Sequence, residues 1–141
     1  MIKFSEDSGA DNQEMNNHRL KTLIDEVATS VGGETGAWRF TVDGVVMFCI
    51  TDEAHDRMRI ISPIAAAEEL DHAILTECLA ANFDRALDAR YCIHDGTVWG
   101  AYIHPLSPTS DEQILSAINQ VAQVSRNFGK SFSSSPLVFG S

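Results

Sequence analysis

Two Asp-Gly pairs set the frame for this chain. Asp43-Gly44 and Asp95-Gly96 each interrupt a run rich in β-branched and aromatic residues. An Asp-Gly pair accommodates the positive φ angles of a two-residue type I′ turn, so each pair predicts a tight antiparallel hairpin. Such a turn also dictates register. In the first hairpin it pairs Val42 with Val45, Phe40 with Met47 and Trp38 with Cys49 on one face, a clear core face. Thr41 with Val46 and Arg39 with Phe48 lie on the other, which is mixed. In the second it pairs Ile93 with Val98, Tyr91 with Gly100 and Ala89 with Tyr102. The opposite face pairs His94 with Thr97, Cys92 with Trp99 and Arg90 with Ala101. Neither face of the second hairpin is strongly polar. A sheet with one solvated face alternates more sharply, so both faces are expected to be covered, one by helices and the other by a second copy of the chain.

Around the hairpins the apolar period changes from two to that of a helix. Leu20, Leu23, Ile24, Val27 and Val31 predict an amphipathic helix from about Asn17 to Val31, closed by Gly32-Gly33. Arg57 to Ile61, with Met58 and Ile60 opposing the arginines, predicts a third strand that Pro63 closes, which gives a three-stranded meander. From Ala65 to about Asn82 the apolar residues fall on two lines, Leu70, Ile74 and Cys78 on one and Leu75 and Leu79 on the other. A helix with so wide an apolar surface packs on two sides. Asn82 stands where a left-handed cap would end it. The last helix opens on Thr109 or Ser110, with Glu112 or Gln113 completing a capping box, and Gly129 closes it. The fold class is therefore α+β, ordered helix, three-strand antiparallel meander, helix, hairpin, helix. A flexible arm is expected over 1–16, a single domain over 17–130 and a serine-rich tail over 131–141.

Composition narrows the function. At 141 residues the chain can bury a core of its own. No apolar run reaches the roughly 20 residues of a membrane span, and the first residues lack the apolar stretch of a signal peptide. Three scattered cysteines, Cys49, Cys78 and Cys92, fit a reducing, cytoplasmic setting. The net charge of −10 argues against nucleic acid. Acids concentrate on the first two helical regions, where they form a solvated face or a surface that recruits a basic partner.

Chemistry-bearing patterns are sparse. Cys92 and His94 share a strand face, but no further residue completes a nucleophile–base or metal site, and buried cysteine is commonly structural. His72 and Cys78 do not share a helix face, and no third metal ligand is positioned. His55 and Asp56 fall in a hairpin loop. Phosphate-binding, dinucleotide and serine-nucleophile motifs are absent. No catalytic residue, metal ligand or cofactor is assigned. Core packing accounts for Trp38 and Phe40, whereas Phe48 and Trp99, on the opposite face, are candidates for protein contact.

The element order in a small acidic chain resembles the class I type III secretion chaperones, the Tir chaperone-like fold, and the related YbjN-like bacterial domains. Leu75-Thr76-Glu77-Cys78-Leu79-Ala80-Ala81-Asn82-Phe83 is similar to the family's leucine-rich second helix. The stretch 88–105 resembles its following hairpin, and Arg126-Asn127-Phe128-Gly129 the end of its last helix. The resemblance covers about residues 17–130. It implies a cytoplasmic homodimer that binds an extended segment of a partner protein, such as a secreted effector, without ATP. The second helix and last hairpin would then lie near the dimer interface, which makes Phe48, Leu75, Leu79, Cys92 and Trp99 the candidate partner or dimer contacts. The alternative is a YbjN-like regulatory or stress-related domain of the same fold with no secretion role.

Overall fold

Three helices and a six-stranded antiparallel sheet make up the computed structural model, which describes residues 14–134. In chain order these are α1 (Asn17–Val27), β1 (Ser30–Glu34), β2 (Ala37–Val42), β3 (Val45–Asp52), β4 (Arg57–Ala66), α2 (His72–Asp84), β5 (Arg90–His94), β6 (Thr97–Pro105) and α3 (Asp111–Arg126). The strand order across the sheet is β1-β2-β3-β4-β6-β5. The second hairpin therefore docks through its later strand, leaving β5 at the edge. Most of the arm and tail expected over 1–16 and 131–141 lies outside the described residues. At their inner ends, Met15 is buried, as are Phe132, Ser133 and Ser134.

Both Asp-Gly turns form as their chemistry requires. Asp43 and Gly44 have φ of 50° and 81°, and Asp95 and Gly96 have 50° and 75°. The registers follow from them: Val42↔Val45, Phe40↔Met47 and Trp38↔Cys49 in the first hairpin, and Ile93↔Val98, Tyr91↔Gly100 and Cys92↔Trp99 in the second. The second ladder begins at Arg90, so the expected Ala89 and Tyr102 pair falls outside it.

Three boundaries differ from expectation. First, α1 stops at Val27, and the predicted last turn is instead β1, paired with β2 from Ser30↔Thr41 to Glu34↔Ala37. Thr29 and Ser30 are weak helix formers, and the Thr29 amide and hydroxyl both donate to the Thr41 carbonyl. The meander thus has a fourth strand, turned at Thr35-Gly36 with Gly36 at φ 86°. Second, β4 runs through Pro63 to Ala66, with a register shift between Pro63 and Ala65. An irregularity there spares the ladder the amide that proline lacks. Third, α2 begins at His72, where the Asp71 carboxylate accepts from the Ile74 amide, and continues past Asn82 to Asp84. Asn82 lies within the helix and bonds to the Tyr91 backbone. The α3 capping box forms through Ser110 and Gln113.

Helices α1 and α3 cover the inner sheet face. Leu20, Leu23 and Ile24 of α1 and Ile114, Ile118, Val121 and Val124 of α3 meet Trp38, Phe40, Met47, Met58, Ile60 and Tyr102. Close approach of α3 depends on Gly100, where a Cβ would lie 2.7 Å from Val124 Cγ1. Tyr91 joins this core through edge-on contacts with Phe128 and Phe132, each 5.9 Å between ring centres, and donates its hydroxyl to the Val124 carbonyl at 2.6 Å.

Candidate protein-binding surfaces

Among the described residues no helix lies over the outer sheet face, and register alone places its residues. One row across the sheet reads Arg39, Phe48, Ile61, Ala101, Arg90, from β2 through β3, β4 and β6 to β5. The adjacent row holds Ala37, Ile50, Arg59 and Ile103. A third brings Pro63, Trp99 and Cys92 together. Phe48, Ile61 and Trp99 are half-buried, and Ile50 and Ile103 are 44% and 50% exposed. A concavity of about 270 Å³ opens on this face, lined by Arg59, Ile61, Cys92, Trp99, Ala101 and Ile103 with Ile93 and His94.

A second apolar surface surrounds α2, which lies beside the β5 edge rather than over the sheet. Cys78 and Ala81 face inward, while Leu79 and Phe83 are 71% and 93% exposed. Leu87, after the helix, and Ile93, on β5, are each more than half exposed as well. Between α2 and β5 runs a groove of about 230 Å³ lined by Leu75, Cys78, Leu79, Tyr91, Cys92, Ile93 and Val98.

The five sequence candidates therefore divide. Leu75 and Leu79 belong to the α2 groove, Phe48 and Trp99 to the outer sheet face, and Cys92 lines both hollows. Sequence reasoning missed Phe83, Leu87 and Ile93, as well as the arginines that frame the sheet face. Phe83 carried a signal, since it follows Leu75 and Leu79 at four-residue intervals along one helix line.

Asn82 joins α2 to the β5 edge. Its carboxamide donates to the Tyr91 carbonyl at 2.9 Å and accepts from the Tyr91 amide at 2.8 Å, as a neighbouring strand would. Just before β5, the buried Gln120 carboxamide oxygen accepts from the Asp88 and Ala89 amides at 2.8 and 3.0 Å, while its nitrogen donates to the Asp88 carboxylate and the Ser116 hydroxyl. Asn82 thus occupies an edge that would otherwise offer itself to another strand.

The thiols are poorly suited to nucleophilic work. Burial pushes Cys49 up to about 12 and raises Cys78, with the Glu77 carboxylate adding to the latter. Desolvation raises Cys92 as well, against a smaller opposing pull from Arg59. His94 lies 3.2 Å from the Asp95 carboxylate at the hairpin tip. A polar cleft of about 340 Å³ gathers Asp88, Arg90, Tyr102, His104, Glu112 and Gln113. Two of its polar groups are held by the fold: His104 Nδ1 meets the Pro105 carbonyl and the Thr109 hydroxyl, and Asp88 accepts from Gln120. Among the described residues, no cluster of three or more His, Cys, Asp or Glu is placed to hold a metal ion, and no helix is long and apolar enough to cross a membrane.

No family model and no curated protein matches the chain. Five chains of solved structures do. One belongs to the structure of the HopA1–SchA chaperone–effector complex; the match covers 79% of this chain and 94% of that one, with a TM-score of 0.58 at 16% identity. At that identity the likeness is one of fold: this chain shares the α+β fold of the matched chain in that complex.

Proposed function

We propose that this chain is a non-enzymatic, cytoplasmic protein-binding module of secretion-chaperone type. It acts as a homodimer through α2 and β5 and holds an extended segment of a partner protein, a secreted effector being the leading class. The observation that carries this reading is the set of exposed apolar side chains on and after α2 and on β5, Leu79, Phe83, Leu87 and Ile93. Covering one large apolar side chain is worth about 1.5–3 kcal/mol, so the set supplies a sizeable drive for association. Isologous pairing suits it, because Leu79 and Phe83 share one line of α2, and the same patch on a second copy would face them.

Light scattering tests the dimer. The full chain at micromolar concentration should have twice its 15.4 kDa mass, and Phe83→Asp with Leu79→Asp should return it to one chain mass with an unchanged circular dichroism spectrum. A monomeric parent protein would sink the dimer. Partner capture followed by hydrogen exchange tests the rest. Protection on the partner should fall on one contiguous segment that is unprotected when the partner is alone. Protection spread over a folded surface would favour a regulatory domain of the same fold.

A further inference from the structure

The charge of the chain and the charge of its open sheet face have opposite signs. Four of the seven arginines, Arg39, Arg57, Arg59 and Arg90, project from the outer face. The other three are in ion pairs: Arg19 with Asp111, Arg85 with Glu77 and Arg126 with Asp43. On the outer face, Arg90 donates only to the Leu87 carbonyl, and Arg39, Arg57 and Arg59 have no hydrogen bond or ion pair among the described residues. The acids near the face stand at its rim, where Asp88 and Glu112 line the cleft that Arg90 also borders. Glu34 is on the edge strand β1, and the Asp52 carboxylate is engaged by His55 at 2.8 Å. The guanidinium groups thus frame an apolar row, Phe48, Ile61 and Ala101, with Arg39 and Arg90 at its two ends.

We infer that this face receives an extended, acidic segment of a partner protein, with apolar side chains at its centre and Asp or Glu at its flanks. It presupposes the protein-binding function proposed above and names the chemistry of what is bound. Arg39 and Arg90 are four strand spacings apart, about 19 Å, which an extended segment of roughly six residues spans. Its apolar side chains meet Phe48, Ile61 and Ala101, and its carboxylates meet Arg39, Arg59 and Arg90. A second copy of the same face is a poor occupant, because it would set arginine against arginine. The rest of the acidic surface repels such a segment, which confines it to this face. A partner chosen from net charge alone would be basic, so the face inverts the expectation.

The test uses the full chain and three synthetic peptides in which Val and Phe alternate with Glu, with Gln or with Lys. Binding is read by peptide anisotropy and by the fluorescence of Trp99. At about 20 mM salt the Glu peptide should bind at least roughly tenfold tighter than the Lys peptide, and the gap should shrink at about 300 mM, where screening is stronger. Joint replacement of Arg39→Gln and Arg59→Gln should weaken the Glu peptide by about tenfold and leave the Gln peptide unchanged. Arg126→Gln, remote from the face, should change neither. Equal or tighter binding of the Lys peptide overturns the acidic assignment while leaving protein binding intact. Failure of all three peptides, with a natural partner still captured through other surfaces, overturns this face as the site. A change of mass in the Arg39→Gln, Arg59→Gln protein would make the face a contact between copies, which also overturns the inference.

Discussion

Cys49 faces the first core from β3 and is fully buried, and burial raises its thiol from 9.0 to about 12. The native state therefore keeps a proton that the unfolded chain releases once pH passes about 9. Stability from this group is complete below that pH and declines between 9 and about 12, by up to roughly 1.4 kcal/mol per pH unit. Tyr91 acts in the same direction at higher pH, because burial raises its phenol too, with a further contribution from Cys78. Urea unfolding should thus show a midpoint that falls from pH 8 to pH 10.5, and Cys49→Ala should flatten that fall while lowering stability at pH 8. Parallel curves for parent and variant would remove Cys49 as a cause. The position of Cys49 was legible at this scale. A type I′ turn at Asp43-Gly44 places Trp38 and Cys49 on the core face by counting alone. The destination of Asn82 was not, since a helix-ending asparagine and an edge-capping one look alike until Tyr91 is brought alongside.

At the scale of elements, Asn82 and Gln120 decide how α2, α3 and β5 fit together. Asn82 satisfies both outward-facing backbone groups of Tyr91. Removing it leaves a donor and an acceptor without partners beside a buried ring. Asn82→Ala should cost about 1–3 kcal/mol and free the β5 edge, so sedimentation at high concentration should show species larger than the parent's. Asn82→Asp separates the two bonds, because it keeps the acceptor and replaces the donor with charge. It should be at least as destabilising as alanine. Intact stability in both variants would mean that the Tyr91 groups find water instead. The helix boundaries show why elements were read less well than residues. Val31 continues the apolar spacing of α1, yet it pairs with Phe40 in β1. Its helical periodicity and its strand pairing draw on the same side chain, and the Thr29 bonds to Thr41 settle the outcome. Likewise Pro63 reads as a strand end, but a local irregularity lets β4 continue beside β6.

For the whole molecule, charge acts on folding and on binding in opposite ways. A net charge of −10 on a small domain repels itself in the compact state. Screening should relieve that repulsion. Raising salt from about 20 to about 300 mM should lift the melting temperature by roughly 4 °C, the equivalent of about 1 kcal/mol for a domain of this size. The same change should weaken capture of an acidic segment at the arginine face. A protein whose stability and peptide affinity moved together with salt would contradict this division of charge.

The two turns were legible because a two-residue loop sets register through local sterics alone, with no reference to the rest of the chain. From them came Arg39 opposite Phe48, Arg90 opposite Ala101, and an α+β order of elements. What joined those pairs into one surface was the docking of β6 against β4 across the whole of α2, with Ile61 between Phe48 and Ala101. Contacts so distant in sequence leave no local periodicity, because they are chosen by the total apolar area buried once α1 and α3 settle on the inner face. The arginine frame and the exposed ridge of α2 exist only after that choice. Neither could be counted out from the turns.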